Sequence, residues 1–262
     1  MLGVAAPLWW EGRTFPMAWI GASAVLPAFR GRGRSLLDQT RESLGIMSGV
    51  PTPRMARLWA RVDRHGELWQ GPPRSLLVRP LGPGAGASFR LRPFEATKIE
   101  RFDASWDRCL REWTATWHAT LARSQATCNW LLLDDPATEQ AVVGIFRGGK
   151  PTGYAAIRLY ENESGERRAA IADLLAPRGD VPALRAGVTA AMTLARHHGA
   201  SALTLREPMH PDHVRAFRGL GFLKGRTQPL SLVVARAPGP WPNATAGHWW
   251  QVPDTWADPR IF

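Results

Sequence analysis

The sequence predicts a layered α/β fold, a mixed sheet flanked by helices, present in two copies of which the N-terminal one is truncated. Three observations carry this expectation. An apolar run from Ile20 to Leu26 passes through Pro27 and an Arg/Gly loop into a helical pattern between Gly33 and Leu44. Downstream, an amphipathic helix precedes three strands with hairpin turns, then a long helix, a strand and a shorter helix. Finally, Ala172-Asp-Leu-Leu-Ala-Pro177 repeats the pattern of Ala22-Ser-Ala-Val-Leu-Pro27, 150 residues further on (172 − 22).

Taken in order, residues 1–18 are rich in Trp, Gly and Pro and read as irregular. The strand–loop–helix unit follows, then a short strand over 46–50 and a helix over 53–62 with Met55, Leu58, Trp59 and Val62 on one face. A Pro- and Gly-rich stretch then suggests a linker over 81–88. Residues 1–80 therefore form a partial unit. It has only 18 residues before its central strand, so half a sheet with an unpaired edge is expected.

The second unit, residues 89–237, contains every element of a closed α/β layer. Asp103 caps a helix whose Trp106, Leu110, Trp113, Trp117 and Leu121 recur at spacings of four and three. A short helix or turn covers Cys128 to Leu133, and strands span 140–146, 152–159 and 168–175. A long helix starts at the Asp180 cap and stops before Gly199. A strand over 202–205, a helix over 211–220 and a strand pair over 222–235 follow. The Pro- and Trp-rich tail, 238–262, is expected to lie across the surface.

Composition narrows the function. Of 33 basic residues only Lys98, Lys150 and Lys224 are lysines, and the net charge is +11. Residues 1–93 hold 13 Arg against 5 acids (+8), and residues 94–262 hold 20 basic against 17 acidic groups (+3). The positive field belongs to the first unit. Cys109 and Cys128 have no metal-ligand spacing and suit a reduced cytoplasm; no metal site is expected. No apolar run is long enough to span a membrane, and the N-terminus has no basic segment of a secretory signal. A cytoplasmic protein without a membrane partner is expected.

The chemistry concentrates at Arg30-Gly31-Arg32-Gly33-Arg34-Ser35. Gly31 and Gly33 let the backbone turn and approach a ligand. The first amides of the following helix have no partner within it, and the dipole places positive charge behind them. Three guanidinium groups complete a cradle for a diphosphate.

These residues resemble the acyl-CoA pyrophosphate loop of the GNAT (N-acetyltransferase) superfamily, Arg/Gln-x-x-Gly-x-Gly/Ala after an apolar strand, a Pro and an aromatic. Arg30, Gly33 and Ser35 stand on the motif positions, Ser35 as a conservative departure. Ala216-Phe-Arg-Gly-Leu-Gly-Phe222 is similar to the family's closing motif, so the resemblance covers roughly residues 19–236. It implies an N-acyltransferase that uses acetyl-CoA or another acyl-CoA. Val25, Leu26 and Arg30 to Ser35 would contact the donor, and a small-molecule or peptide amine would accept the acyl group.

The second copy has Arg178-Gly-Asp-Val-Pro-Ala183 in the loop position, with Asp180 where an anion would bind, and reads as a non-binding half. No catalytic base is identified. The strand before Pro27 carries no acid, Asp173 reads as structural, and Phe217 stands where the family often has a Tyr. The alternative is a non-catalytic GNAT-like binding or structural module. Nucleic acid is not expected as a partner apart from tRNA, which some tandem relatives use.

Overall fold

The computed structural model describes residues 2–10, 12–22, 46–49, 74–82, 93–117, 119–134, 139–206, 211–228, 235–236 and 250–251. The expected helices over 33–44 and 53–62 lie outside the described residues.

Two sheets organise the described chain. The larger is built from β4 (Arg74–Pro80), β5 (Phe94–Ile99), β7 (Glu139–Arg147), β8 (Lys150–Glu161), β9 (Arg167–Leu175), β10 (Ala202–Arg206) and β11 (Leu223–Gln228). Its order is β11-β4-β10-β9-β8-β7-β5, antiparallel throughout except for the β9/β10 pair. The smaller sheet contains β1 (Leu2–Trp10), β2 (Arg13–Ala22), β3 (Ile46–Gly49), β6 (Ala119–Leu121), β12 (Ala235–Arg236) and β13 (Trp250–Gln251). Its order is β12-β3-β2-β1-β6-β13, with β2/β3 and β6/β13 parallel.

Four helices accompany them: α1 (Ala104–Ala115), α2 (Gln125–Leu132), α3 (Val181–His197) and α4 (Pro211–Phe217). Helix α3 packs across β7, β8 and β9 on one face of the larger sheet. A Cβ at Gly187 would lie 2.7 Å from Leu174 Cδ1, so glycine lets the helix approach that closely. Helices α1 and α2 cover the other face, where Phe102, Trp106 and Tyr154 meet edge to face.

Asp103 caps α1 as expected, accepting the Ser105 amide at 2.9 Å, and Trp106, Leu110 and Trp113 are buried. The helix ends earlier than its apolar periodicity suggests. The Thr116 hydroxyl donates to Trp113 O at 2.7 Å, and Leu121 enters β6 instead. Asp180 caps α3, and Gly199 with φ +75° ends the turn after it.

Several expectations need correction. Residues 1–18 are not irregular: β1 and β2 form a hairpin that turns at Gly12, φ +86°. Pro7 and Pro16 argue against strands in the sequence, yet they face one another in register. Each lies one residue outside the ladder to its strand's other neighbour, because β6 pairs from Leu8 and β3 from Met17. There a missing N–H costs little.

The domain boundaries are also crossed. Strand β4, placed in the first unit by the sequence, sits between β10 and β11 of the larger sheet. The β6 strand from the second unit pairs with β1, so the half sheet does not end there. The expected pair over 222–235 separates, β11 joining the larger sheet and β12 the smaller, and tail residues Trp250–Gln251 pair with β6. Backbone donors and acceptors are satisfied by strand exchange between the two segments.

The two sheets share a run of four strands. In β12-β3-β2-β1 and in β4-β10-β9-β8 the pairings are antiparallel, parallel and antiparallel.

Candidate functional site

All eight sequence-predicted donor contacts, Val25, Leu26, Arg30, Gly31, Arg32, Gly33, Arg34 and Ser35, lie outside the described residues. What frames them is described. Strand β2 ends at Ala22, β3 begins at Ile46, and the two are parallel neighbours, so residues 23–45 are the crossover between them. The parallel ladder runs from Met17–Ile46 to Ile20–Gly49. The β1/β2 register then shifts, pairing Gly3 with Ile20 and Leu2 with Ala22, which leaves Gly21 as a one-residue bulge. The loop therefore leaves the carboxyl end of a central strand just past a bulge, the end of a parallel pair at which open α/β sheets bind ligands.

The larger sheet repeats this frame. Its parallel ladder is confined to Ala169–Leu203 and Ala170–Thr204. The β8/β9 register shifts immediately afterwards, pairing Ile157 with Ile171 and Ala156 with Asp173, so that Ala172 is the bulged residue. Beyond the bulge, the amides that would face a ligand are taken by the chain's own carboxylates. Leu174 N donates to Asp173 Oδ1 at 2.9 Å, Gly179 N to Asp212 Oδ2 at 2.9 Å and Ala183 N to Asp180 Oδ1 at 3.0 Å. Asp173 and Asp212 are 6% and 3% exposed, so water scarcely competes for these bonds. Asp180 also accepts from Arg147, and Asp212 from Arg215. Nearby, the indole of Trp117 donates to Ala176 O at 3.0 Å and its ring lies 5.0 Å from that of His213.

Asp173, the one sequence-identified acid on a central strand, is committed to a buried network. Arg123 Nε and Nη2 donate to its two oxygens at 3.0 and 2.8 Å. The Tyr154 hydroxyl donates to Oδ2 at 2.5 Å. The remaining Arg123 nitrogen donates to Thr120 Oγ1 at 2.7 Å and Leu121 O at 3.0 Å. Burial works against the charge on Arg123, but the adjacent Asp173 carboxylate holds its pKa above the ordinary value. Burial, assisted by Asp173, raises the Tyr154 hydroxyl well above its usual range. Cys128, 3.9 Å from the Tyr154 oxygen, is pushed up to about 12, again chiefly by burial. A carboxylate paired bidentately with a guanidinium has no free lone pair for an incoming amine proton. Its role here is structural.

The other sequence candidates scatter. His210 lies outside the described residues, and His213 is buried at the start of α4 beside Trp117. His197 and His198 stack edge to face at the end of α3. Phe217 packs against Phe222. Among the described residues no group of His, Cys, Asp and Glu could hold a metal ion, and no helix is long and apolar enough to cross a membrane. Sequence reasoning did not single out Arg123, Trp117 or Asp212. Their only sequence signal is polarity beside apolar neighbours, which does not name a partner 50 residues away.

No protein-family model matches the chain, and no curated protein matches it. Solved structures do. A GCN5-related N-acetyltransferase from Anabaena variabilis is 15% identical with a TM-score of 0.57, over 88% of this chain and 58% of its own. The Saccharomyces cerevisiae N-myristoyltransferase with bound myristoyl-CoA is 11% identical with a TM-score of 0.60, over 90% and 66%. A probable N-acyltransferase from Enterococcus faecalis is 12% identical with a TM-score of 0.53, over 89% and 57%. The chain thus spans under two thirds of the length of each. At these identities the likeness concerns architecture: the mixed sheet flanked by helices is the GNAT fold.

Proposed function

We propose that the chain is an acyl-CoA-dependent N-acyltransferase of GNAT type, built as a tandem in which the first half holds the acyl donor. The observation that carries this reading is the frame around the Arg/Gly loop. A parallel pair, a bulge at Gly21 and a crossover bearing Arg30 to Ser35 stand together, without an internal carboxylate to compete. No Asp or Glu occurs between Gly12 and Leu37, and counting from the bulged residues puts Ala22 in the place of Asp173. A donor's diphosphate fits that chemistry. The shared pairing run of the two sheets supports the tandem. Their bulges lie 151 residues apart (172 − 21), one more than the sequence repeat.

In this reading the first amides after the loop, with Arg30, Arg32 and Arg34, hold the diphosphate. Backbone amides near Val25 and Leu26 polarise the donor's carbonyl. The bound donor supplies a thioester. An amine adds to its carbonyl carbon, the C–S bond breaks, the thiolate leaves, and the amine's proton passes to a base or to water. The acceptor is a small-molecule or peptide amine, and a cytoplasmic setting suits the use of acyl-CoA. The second half does not bind a donor, because Asp173, Asp180 and Asp212 occupy its amides.

One observation favours a second reading, a non-catalytic GNAT-like module. Among the described residues the central-strand acid is locked by Arg123, and Phe217 offers no hydroxyl. Thiol release from acetyl-CoA in the presence of a panel of amines separates the two. Amine-dependent release above the uncatalysed rate supports the enzyme; donor binding without release on any amine supports the module.

A further inference from the structure

The two sheets meet at one guanidinium group. Arg123 follows β6 in the chain and uses Nη1 to hold Thr120 Oγ1 and Leu121 O of that strand. With Nε and Nη2 it holds both oxygens of Asp173, one residue past the bulge of β9. Strand β6 is not part of the larger sheet. It pairs with β1, Thr120 opposite Trp9 and Leu121 opposite Leu8, and β1 pairs along its whole length with β2. Strand β2 carries the Gly21 bulge and leads into the Arg/Gly loop. A second tie runs parallel to this one, Trp9 Nε1 donating to Trp117 O at 3.2 Å, while the Trp117 indole bonds Ala176 at the end of β9.

We propose that Arg123, anchored by Asp173, is a positioning residue through which the second half sets the geometry of the donor site in the first. This rests on the reading that residues 25–35 hold an acyl-CoA. Arg123 is 3% exposed, and burying a guanidinium is a poor way to gain stability: well-packed apolar residues often serve as well or better. What the guanidinium offers instead is a planar fork with fixed directions, four of whose bonds join two strands that belong to different sheets. A donor site on a strand end tolerates little displacement, so its supporting strand must be fixed from outside. The second half, closed to a donor of its own, provides the fixed frame.

The test uses the full chain with Arg123→Met, Asp173→Leu and Tyr154→Phe combined, so that none of these three side chains is left as an orphaned polar group. Amide exchange is read strand by strand, and binding is measured with CoA itself. Exchange at residues 8–10 and 119–121 should rise by about tenfold or more, with residues 150–161 and 167–175 within about twofold of wild type. The CoA dissociation constant should rise by about tenfold. A uniform rise over both sheets would mean that the cluster is only structural, and unchanged exchange in β1 and β6 or unchanged CoA affinity would overturn the proposal outright. If wild type binds no CoA, the acyl-donor reading fails, while the exchange pattern still decides whether Arg123 is the joint. Should the triple variant not fold, Thr120→Val removes one β6 acceptor and leaves the ion pair. A rise confined to 119–121 and 8–10 then supports the joint, and none refutes it.

Discussion

Asp212 accepts the Gly179 amide at 2.9 Å from the first turn of α4, thirty-three residues along the chain (212 − 179). Gly179 lies where the second half, by the sequence repeat, carries its counterpart of the Arg/Gly loop. The internal carboxylate gives a physical reason for the functional asymmetry of the two halves. An external phosphate would have to displace a buried, Arg-paired anion from its amide.

Replacing Asp212 with Ala should therefore free the Gly179 amide and loosen α4 against α3. The expected cost is about 1–3 kcal/mol, that of leaving a buried donor unsatisfied. Urea unfolding and the exchange rate of the Gly179 amide measure both effects. In wild type, saturating CoA should leave the Gly179 amide resonance in place; a shift there would put a donor in the wrong half.

Strand exchange makes a second prediction. A chain beginning at residue 83 lacks β4, which separates β10 from β11, and exposes unpaired edges on both. Such a fragment should show no cooperative thermal transition, and restoring residues 74–82 should recover one. A sharp melt of the shorter fragment, within a few degrees of the longer one, would contradict this.

Much of the fold was legible because its signals are local. Asp103 and Asp180 announce caps, Trp106, Leu110 and Trp113 mark a buried helix face, and the three hairpin strands of the larger sheet carry their turns with them. The exchanged strands were not legible. Leu76–Val78 is a short apolar piece between Pro/Gly clusters, and nothing in it states that its partners are 125 residues away. Pro7 and Pro16 hid the first hairpin, because their tolerance depends on ladders that only the assembled sheet defines. The donor loop was legible as a motif, whereas Asp173 shows the limit: an acid on a central strand looks the same in sequence whether free or locked by Arg123.

Stability should fall in alkali. Burial raises Cys128 from 9.0 to about 12 and lifts Tyr154 well above 10.0. Both groups hold their protons more tightly folded than unfolded. Their contribution is therefore complete below pH 9 and is lost as the pH climbs toward 12. The unfolding free energy should drop above pH 9 by up to about 1.4 kcal/mol per pH unit for each group. Urea midpoints across that range check this. A midpoint that is flat up to pH 11, or one that rises, would exclude it. By the same burial Cys128 should stay unreactive toward a thiol reagent at pH 8 in the folded chain.

The aromatic helix supports the sheet and holds no ligand. Trp113 is 6% exposed and meets Trp106 edge to face at 6.2 Å. Trp113→Ala should cost about 3–5 kcal/mol in chemical denaturation. Unchanged stability with loss of donor binding would assign the tryptophan to a site instead.

The central claim is that the first half holds an acyl donor through the amides after its Arg/Gly loop, and calorimetric titration of the full chain with acetyl-CoA tests it most directly. The account predicts one site per chain. Gly33→Val should abolish binding by placing a branched side chain between backbone and diphosphate, and Arg32→Ala should weaken it by about 1–3 kcal/mol, the worth of one charge-assisted hydrogen bond. Affinity should fall with salt, more gently than for a nucleic-acid binder, because few charges take part. Absence of binding, two sites per chain, or binding that survives Gly33→Val unchanged would contradict the account.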